Sequence, residues 1–281
     1  ILIGKGGKSM KIFVISDLHL EASETLGTFA WDQDEFIAMM ETVRKFHAID
    51  KVILNGDTFD LCKSAFKDIA VRNGKLLGYF NEIKALFIKG NHDSALPFGQ
   101  KHFGVINGKG EKIYIEHGHR GDFINGTAAG RLIGKMFYKI LLCVAGIPFI
   151  RALYYGYLEN DEGFKGHRKY NSYKYLRHAV RLHRKYDVVI LGHTHKMEHH
   201  DTYSRGNYKR YFNSGSCSFG RFQGIVLDTE TLEHRAIRFD PPQASTKYAK
   251  PISRPGRAPI LSVRPVTGST IAWAPSQLIV C

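Results

Sequence analysis

The sequence predicts an α/β fold: a sheet-based domain with its chemistry in the loops at strand ends and one helical segment inserted between two of those loops. Two observations carry this. Five short apolar runs each stop at a segment bearing His or Asp, and open α/β sheets place ligand chemistry beyond the carboxyl ends of their strands. Between the fourth and fifth of these segments the pattern changes to long apolar and basic stretches with helical spacing.

Lys11–Ser16 (KIFVIS) is the first strand and ends at Asp17-Leu18-His19. Lys51–Asn55 (KVILN) leads into Gly56-Asp57-Thr58-Phe59-Asp60, and Ala85–Lys89 (ALFIK) into Gly90-Asn91-His92-Asp93. Lys112–Glu116 (KIYIE) runs into His117-Gly118-His119, and Asp187–Leu191 (DVVIL) into Gly192-His193-Thr194-His195. Further strands are expected at Lys209–Asn213, Gly224–Asp228 and His234–Phe239, with a tight turn at Asn213-Ser214-Gly215-Ser216.

Singly, these segments are weak signals. Five of them, each landing at a strand end, are hard to obtain from turn chemistry alone. Imidazole, carboxylate and amide donors without thiolate suit Mn, Fe, Co, Ni or Zn in an open site. Two such cations roughly 3.5–4 Å apart need nitrogen and oxygen donors plus one carboxylate between them.

In this ordered set the chain resembles the calcineurin-like metallophosphoesterase superfamily, whose pattern is D-x-H, G-D-x-x-D, G-N-H-[DE], a later H, and G-H-x-H. The resemblance implies a two-sheet β-sandwich flanked by helices and a metal-dependent phosphoester hydrolase with two divalent ions, Mn²⁺ first, with Fe, Zn, Co or Ni as alternatives. It puts Asp17, His19 and His195 on one ion, Asn91, His117 and His193 on the other, and the carboxylate of Asp57 between them, with His119 as the alternative to His117. His92 is implied to face the substrate rather than a metal, with Asp60 orienting its ring. Asp60 can also cap a helix start. Attack by a metal-activated water, with no phosphoenzyme, follows from the same resemblance.

The chain has 281 residues, enough for one large α/β domain with a lid, and 43% apolar with 23% charged residues is ordinary for a globular protein. Cys62, Cys143, Cys217 and Cys281 show no paired spacing, so a disulfide framework is not expected and a reducing cytoplasm is. Residues 1–9 read as a leader with no secretory h-region, residues 10–245 as the domain, and residues 246–281 as a loosely ordered basic, Pro-rich tail.

The formal charge of +14 points to polyanionic partners: phosphorylated substrates, anionic lipid surfaces or nucleic acid. From Arg120 to Lys185 there are thirteen Lys or Arg against four Asp or Glu, so the excess concentrates in the insertion at about 122–185. Residues 131–157 are the most apolar part of the chain, but their longest uncharged run is the eleven residues Ile140–Ile150, too short for the about twenty a spanning helix needs. Gly146 and Pro148 should break this stretch into two helices able to lie on a membrane surface. Tyr170–Lys185 reads as a third helix with Lys174, Arg177, Arg181 and Arg184 along one side, of which Arg177 and Arg181 are candidate substrate contacts. This architecture resembles one branch of the superfamily, the UDP-2,3-diacylglucosamine hydrolases of lipid A synthesis, which carry a basic, apolar insertion between the same two motifs. Those enzymes typically have arginine where His92 stands here.

The branch resemblance implies a nucleotide-linked lipid as substrate and peripheral association with the inner face of the cytoplasmic membrane. A broader phosphodiesterase or phosphomonoesterase is the alternative favoured by His92, with a nuclease as its minor form. Interleaving of the charge with apolar rather than stacking residues argues against single-stranded nucleic acid. A metal-free scaffold ranks last, since the motif set has no gap.

Overall fold

In the computed structural model the described residues are 9–23, 25–161, 169–204 and 206–240, together with short strands at 2–3, 262–264 and 271–272. In chain order the strands are β1 (Leu2–Ile3), β2 (Lys11–Ile15), β3 (Lys51–Asn55), β4 (Leu86–Ile88), β5 (Phe103–Ile106), β6 (Lys112–Ile115), β7 (Val188–Leu191), β8 (Met197–Ser204), β9 (Asn207–Ser214), β10 (Phe222–Asp228), β11 (His234–Phe239), β12 (Ser262–Arg264) and β13 (Ile271–Ala272). The helices are α1 (Gln33–His47), α2 (Phe66–Arg72), α3 (Gly74–Glu82), α4 (Phe123–Gly126), α5 (Ala128–Val144), α6 (Pro148–Asp161) and α7 (Lys169–Leu182).

Two mixed sheets form, ordered β1-β5-β6-β7-β9-β8 and β13-β12-β11-β10-β2-β3-β4. Strands β2, β3 and β4 are parallel, as are β6, β7 and β9, whereas β10 runs antiparallel to β2 and β8 antiparallel to β9. Successive side chains of a strand point to opposite faces, and both faces of these strands are covered. Ile12 and Val14 of β2 join Ile53, Ile113, Val188, Ile190 and Phe212 in the core between the sheets. Phe13 and Ile15 point the other way, against Phe36, Met39 and Met40 of α1 and Leu76 and Phe80 of α3. On the far side, Val189, Leu191 and Tyr211 pack beneath Leu176, Ala179 and Leu182 of α7. The result is a β-sandwich flanked by helices, as the sequence predicts.

Helix α1 has local reasons to start and stop where it does. The Asp32 carboxylate accepts from the backbone N–H groups of Asp34 and Glu35, acidic residues fill the first turn, and Arg44, Lys45 and His47 fill the last. Ala48 then ends it in a left-handed conformation.

The insertion forms α4 to α7. Thr127 caps α5 by accepting from the Gly130 N–H at 3.1 Å, and the chain breaks between Val144 and Pro148, at the predicted Gly/Pro pair. One side of α5–α6 docks on the domain, where Ala145, Tyr154 and Tyr155 pack with Leu26 and Phe219, and the Tyr155 hydroxyl donates to the Gly27 carbonyl at 3.1 Å. No helix among the described residues is long and apolar enough to cross a membrane. The predicted leader and tail lie largely outside the described residues; their described parts are Ser9, β1 pairing with β5, and β12 and β13 extending the sheet beyond β11.

Candidate metal centre

Parallel alignment of β2, β3 and β4 in one sheet and of β6 and β7 in the other brings five strand ends to one rim of the sandwich. Backbone bonds tie the loops there together: Asp17 N–H to Gly56 carbonyl at 3.1 Å, His19 N–H to Asp57 carbonyl at 2.9 Å, and Gly192 N–H to His117 carbonyl at 3.0 Å. The loops turn sharply. Asp17, His19, Asp57, His193 and His195 all have φ between 50° and 71°, a left-handed region that costs non-glycine residues energy and collects at functional sites. The motif glycines explain how the loops approach so closely. A Cβ on Gly90 would lie 2.0 Å from Asp57 Oδ1, and one on Gly56 would lie 2.5 Å from the His117 ring.

The donors converge in two groups. In the first, Asp17 Oδ1 lies 3.0 Å from His195 Nε2 and 3.8 Å from His19 Nε2, and the two imidazole nitrogens are 3.2 Å apart. Two donors each about 2.1 Å from a shared ion and at right angles to it are separated by about 3 Å, so this spacing fits one cation. In the second, His117 Nε2 lies 3.1 Å from Asp57 Oδ2, and His193 completes a group whose ligand atoms all fall within 4.8 Å of one another. Asp57 also lies within the same reach of His19 and His92, which places it between the two groups.

The chemistry of these atoms fits bound cations. Among the described residues no conventional hydrogen bond satisfies the buried Asp17 Oδ1, Asn91 Oδ1 and His117 Nε2, and for Asp17 and His117 only the ring–carboxylate approaches to His195 and Asp57 stand in its place, a costly state that a metal ion would relieve. For His117 and Asp17 the other polar atom of the side chain is committed elsewhere and aims the first. His117 Nδ1 donates to the Asn55 carbonyl at 2.8 Å, which turns Nε2 towards Asp57 Oδ2, as outer hydrogen bonds orient metal-binding imidazoles. Asp17 Oδ2 accepts the His193 N–H at 3.0 Å, and Asp57 Oδ1 accepts the His92 N–H at 2.8 Å. His117 is the ring grouped with Asp57 and His193, and the His119 ring lies 5.6 Å from it between centroids.

The buried carboxylates and imidazoles of the cluster set one another's protonation. Burial pushes the Asp57 carboxyl upward, but the His117 and His92 rings outweigh it and hold it well below the usual range. Burial pulls His117 down, yet Asp57 and Asp17 raise it to about 9. His193, held mainly by burial and by repulsion from His117, falls to about 3.

His92 sits beside this centre with its side chain 16% exposed, and its Nδ1 lies 2.9 Å from Asp60 Oδ1. Burial would lower its pKa, but the Asp60 and Asp57 carboxylates raise it well above the usual value. Of the residues the sequence names, those of the metal loops gather here, and two on α7 do not. Arg177 and Arg181 are exposed on α7, and no ion pair or hydrogen bond among the described residues places either at the metal loops. Nearer the centre the same helix presents Tyr175, whose ring packs edge-on against His193 at 5.2 Å, and His178, which bonds Glu116 at 2.7 Å.

Several residues that the sequence marks only as motif or turn positions brace the loops. The Asp93 carboxylate accepts from the N–H groups of Gly90 at 2.6 Å and Thr58 at 2.8 Å, pinning the Asn91 loop to the Asp57 loop. The turn after β9 does more than close a strand: Asn213 donates to the Gly192 carbonyl at 2.7 Å and the Ser216 hydroxyl to the Asp17 carbonyl at 3.2 Å. Cys62, Cys143 and Cys217 are free thiols.

The fold and the paired His/Asp groups define a metal-dependent phosphoesterase. Residues 10–197 match the family model for calcineurin-like phosphoesterases, a span that includes the seven candidate ligands, and the chain belongs to that family. No curated protein matches the chain. Among solved structures, it is similar to a conserved uncharacterized protein, a predicted phosphoesterase, from Streptococcus pneumoniae TIGR4, at 14% identity and a TM-score of 0.35 over 96% of this chain and 99% of that one. A dimetal phosphatase from Danio rerio is similar at 9% identity and a TM-score of 0.45 over 82% of this chain and 95% of that one.

Proposed function

We propose that this phosphoesterase cleaves the phosphoanhydride of a nucleotide-linked lipid of the UDP-2,3-diacylglucosamine type, working with Mn²⁺ at the anionic cytoplasmic face of a membrane. One observation carries the lipid part. Helices α5 and α6 leave Leu132, Ile133, Met136, Phe137, Ile140 and Phe149 between 57% and 67% exposed. From Ala128 to Leu158 the charged residues are Arg131, Lys135, Lys139 and Arg151, with no Asp or Glu. Apolar side chains fringed by basic ones on an interfacial helix suit anionic lipid headgroups over acyl chains, and a lipid-linked substrate would lie at that surface.

In this reading Asp17, His19 and His195 hold one cation, Asn91, His117 and His193 the other, and Asp57 stands between them. When bound, the two ions supply Lewis-acid charge to a phosphoryl oxygen and acidify water enough to make it a nucleophile at neutral pH. The chain's own contribution is orientation and charge. Asp60 takes Nδ1 of His92, so Nε2 is the nitrogen left to face a phosphate oxygen, where a charged imidazole stabilises negative charge or gives its proton to the leaving group. Asp93, Asn213 and Ser216 hold the loops so that this geometry is formed before substrate arrives.

His92 itself favours a second reading, a broader phosphodiesterase or phosphomonoesterase, since the lipid branch typically carries arginine there. Hydrolysis of UDP-diacylglucosamine, bis-p-nitrophenyl phosphate and p-nitrophenyl phosphate, with Mn²⁺ and after chelation, separates the two. Strong preference for the lipid nucleotide supports the first. Rapid turnover of the small esters with none of the lipid overturns it and leaves the second.

A further inference from the structure

Lys63 is a buried lysine outside the metal loops that the reaction chemistry above does not use. Its side chain is 4% exposed, and its Nζ forms an ion pair with Asp60 Oδ2 at 2.8 Å while donating to the Leu26 carbonyl at 2.9 Å. An ammonium removed from water costs several kcal/mol unless it is paired. Its partner here is the same carboxylate whose other oxygen holds His92. The remaining side of the ammonium faces two rings of the insertion, Tyr138 of α5 at 5.6 Å and Tyr154 of α6 at 5.8 Å from their centroids, a geometry in which cation and ring attract. Tyr138 closes the circuit: its ring packs against His92 with centroids 6.2 Å apart and planes at 61°. His92, Asp60, Lys63 and Tyr138 therefore form a closed ring of contacts, three members from the domain and one from the inserted helices.

We propose that Lys63 is a positioning residue that couples the docking of α5–α6 to the orientation of His92. It acts through Asp60. With the helices docked, the tyrosines shield the ammonium from water and strengthen its pull on one carboxylate oxygen, which fixes the other oxygen beneath His92 Nδ1. With them displaced, water reaches the ammonium, the ion pair weakens, and the carboxylate, left with the Cys62 N–H on Oδ1 at 3.2 Å and His19 Nδ1 at 4.0 Å from Oδ2, is held less firmly beneath His92. Substrate lodged between the helices and the metal loops would thus meet a correctly aimed imidazole only when the insertion is closed over it. The inference rests on the role proposed for His92 and is independent of which phosphoester is hydrolysed.

The test is a double-mutant cycle on whichever ester the wild type turns over best, with metal content and melting temperature recorded for each variant. Lys63→Met keeps the apolar stem and removes the charge. It is expected to lower kcat about tenfold while KM and metal content change less than about twofold, the pattern of an interaction lost in the transition state. In a His92→Ala background the same substitution should change the residual kcat less than about twofold, because residues acting as one unit are non-additive. Tyr138→Leu, which leaves every metal loop intact, should show the same dependence on His92 with a smaller loss and serves if Lys63→Met does not fold. Equal losses in both backgrounds would make these residues structural only and overturn the inference, as would an unchanged kcat. Full activity in His92→Ala alone would instead overturn the role of His92.

Discussion

The sheet core and the inserted helices are built from the same apolar residue types and treat them in opposite ways. Ile12, Phe13, Val14 and Ile15 of β2 are wholly buried, because alternate residues meet the second sheet on one side and α1 and α3 on the other. In α5–α6 the side carrying Ala145, Tyr154 and Tyr155 is buried on Leu26 and Phe219, whereas Ile140 and Phe149 are 66% and 67% exposed. Contiguous exposed apolar surface on a protein marks an interaction site. The contrast separates apolar residues that close the core from apolar residues that the fold leaves at the surface.

Four outcomes sharpen or break that contrast. Largest is His92→Ala, expected to lower kcat by about 10²–10⁴-fold with metal content unchanged, as loss of a positioned proton donor does; turnover at the wild-type rate would remove His92 from the chemistry. Next, Phe13→Ala should destabilise the domain by about 3–5 kcal/mol in urea unfolding, since it empties a closed site in the core. By contrast, Ile140→Ser and Phe149→Ser should each stay within about 0.5 kcal/mol of wild type, and together they should abolish co-sedimentation with anionic vesicles; vesicle binding that survives both would break the comparison. The smallest effect concerns protons. With no cation bound, His117 is raised to about 9 and so is protonated at neutral pH, and a metal must displace that proton. Apparent metal affinity should therefore rise with pH from 6 towards about 9, with proton release on binding near pH 7.5 seen by calorimetry in buffers of different ionisation enthalpy.

Much of this was legible in the sequence, for definite physical reasons. Strands β3 and β11 fall at their predicted bounds, β3 as a short apolar run (KVILN) closed by Gly56 and β11 (HRAIRF) as a mixed segment that pairs with β10, and β2, β4, β6 and β7 differ at their ends by a residue or two. The break between α5 and α6 follows from Gly146 and Pro148. The metal loops were readable because ligand chemistry restricts residue type and strand ends restrict position. Strand β8 was not. Its sequence, MEHHDTYS, has no apolar run, and its strand state comes from pairing with β9, where His199 stacks on Phe212 and His200 on Tyr211. Lys63 and Tyr138 gave no signal either, being 75 positions apart and meaningful only once α5 folds back over the Asp60 loop. Arg177 and Arg181 lie on the exposed side of α7, and regular basic spacing marks such a side as readily as a binding face.

The account depends most directly on two cations flanking Asp57. The measurement that tests it is anomalous diffraction from crystals grown with Mn²⁺. Two peaks about 3.5–4 Å apart are expected, one beside Asp17, His19 and His195, the other beside Asn91, His117 and His193, with the Asp57 carboxylate touching both. A single peak, or none, in crystals of protein that hydrolyses phosphoesters would contradict it.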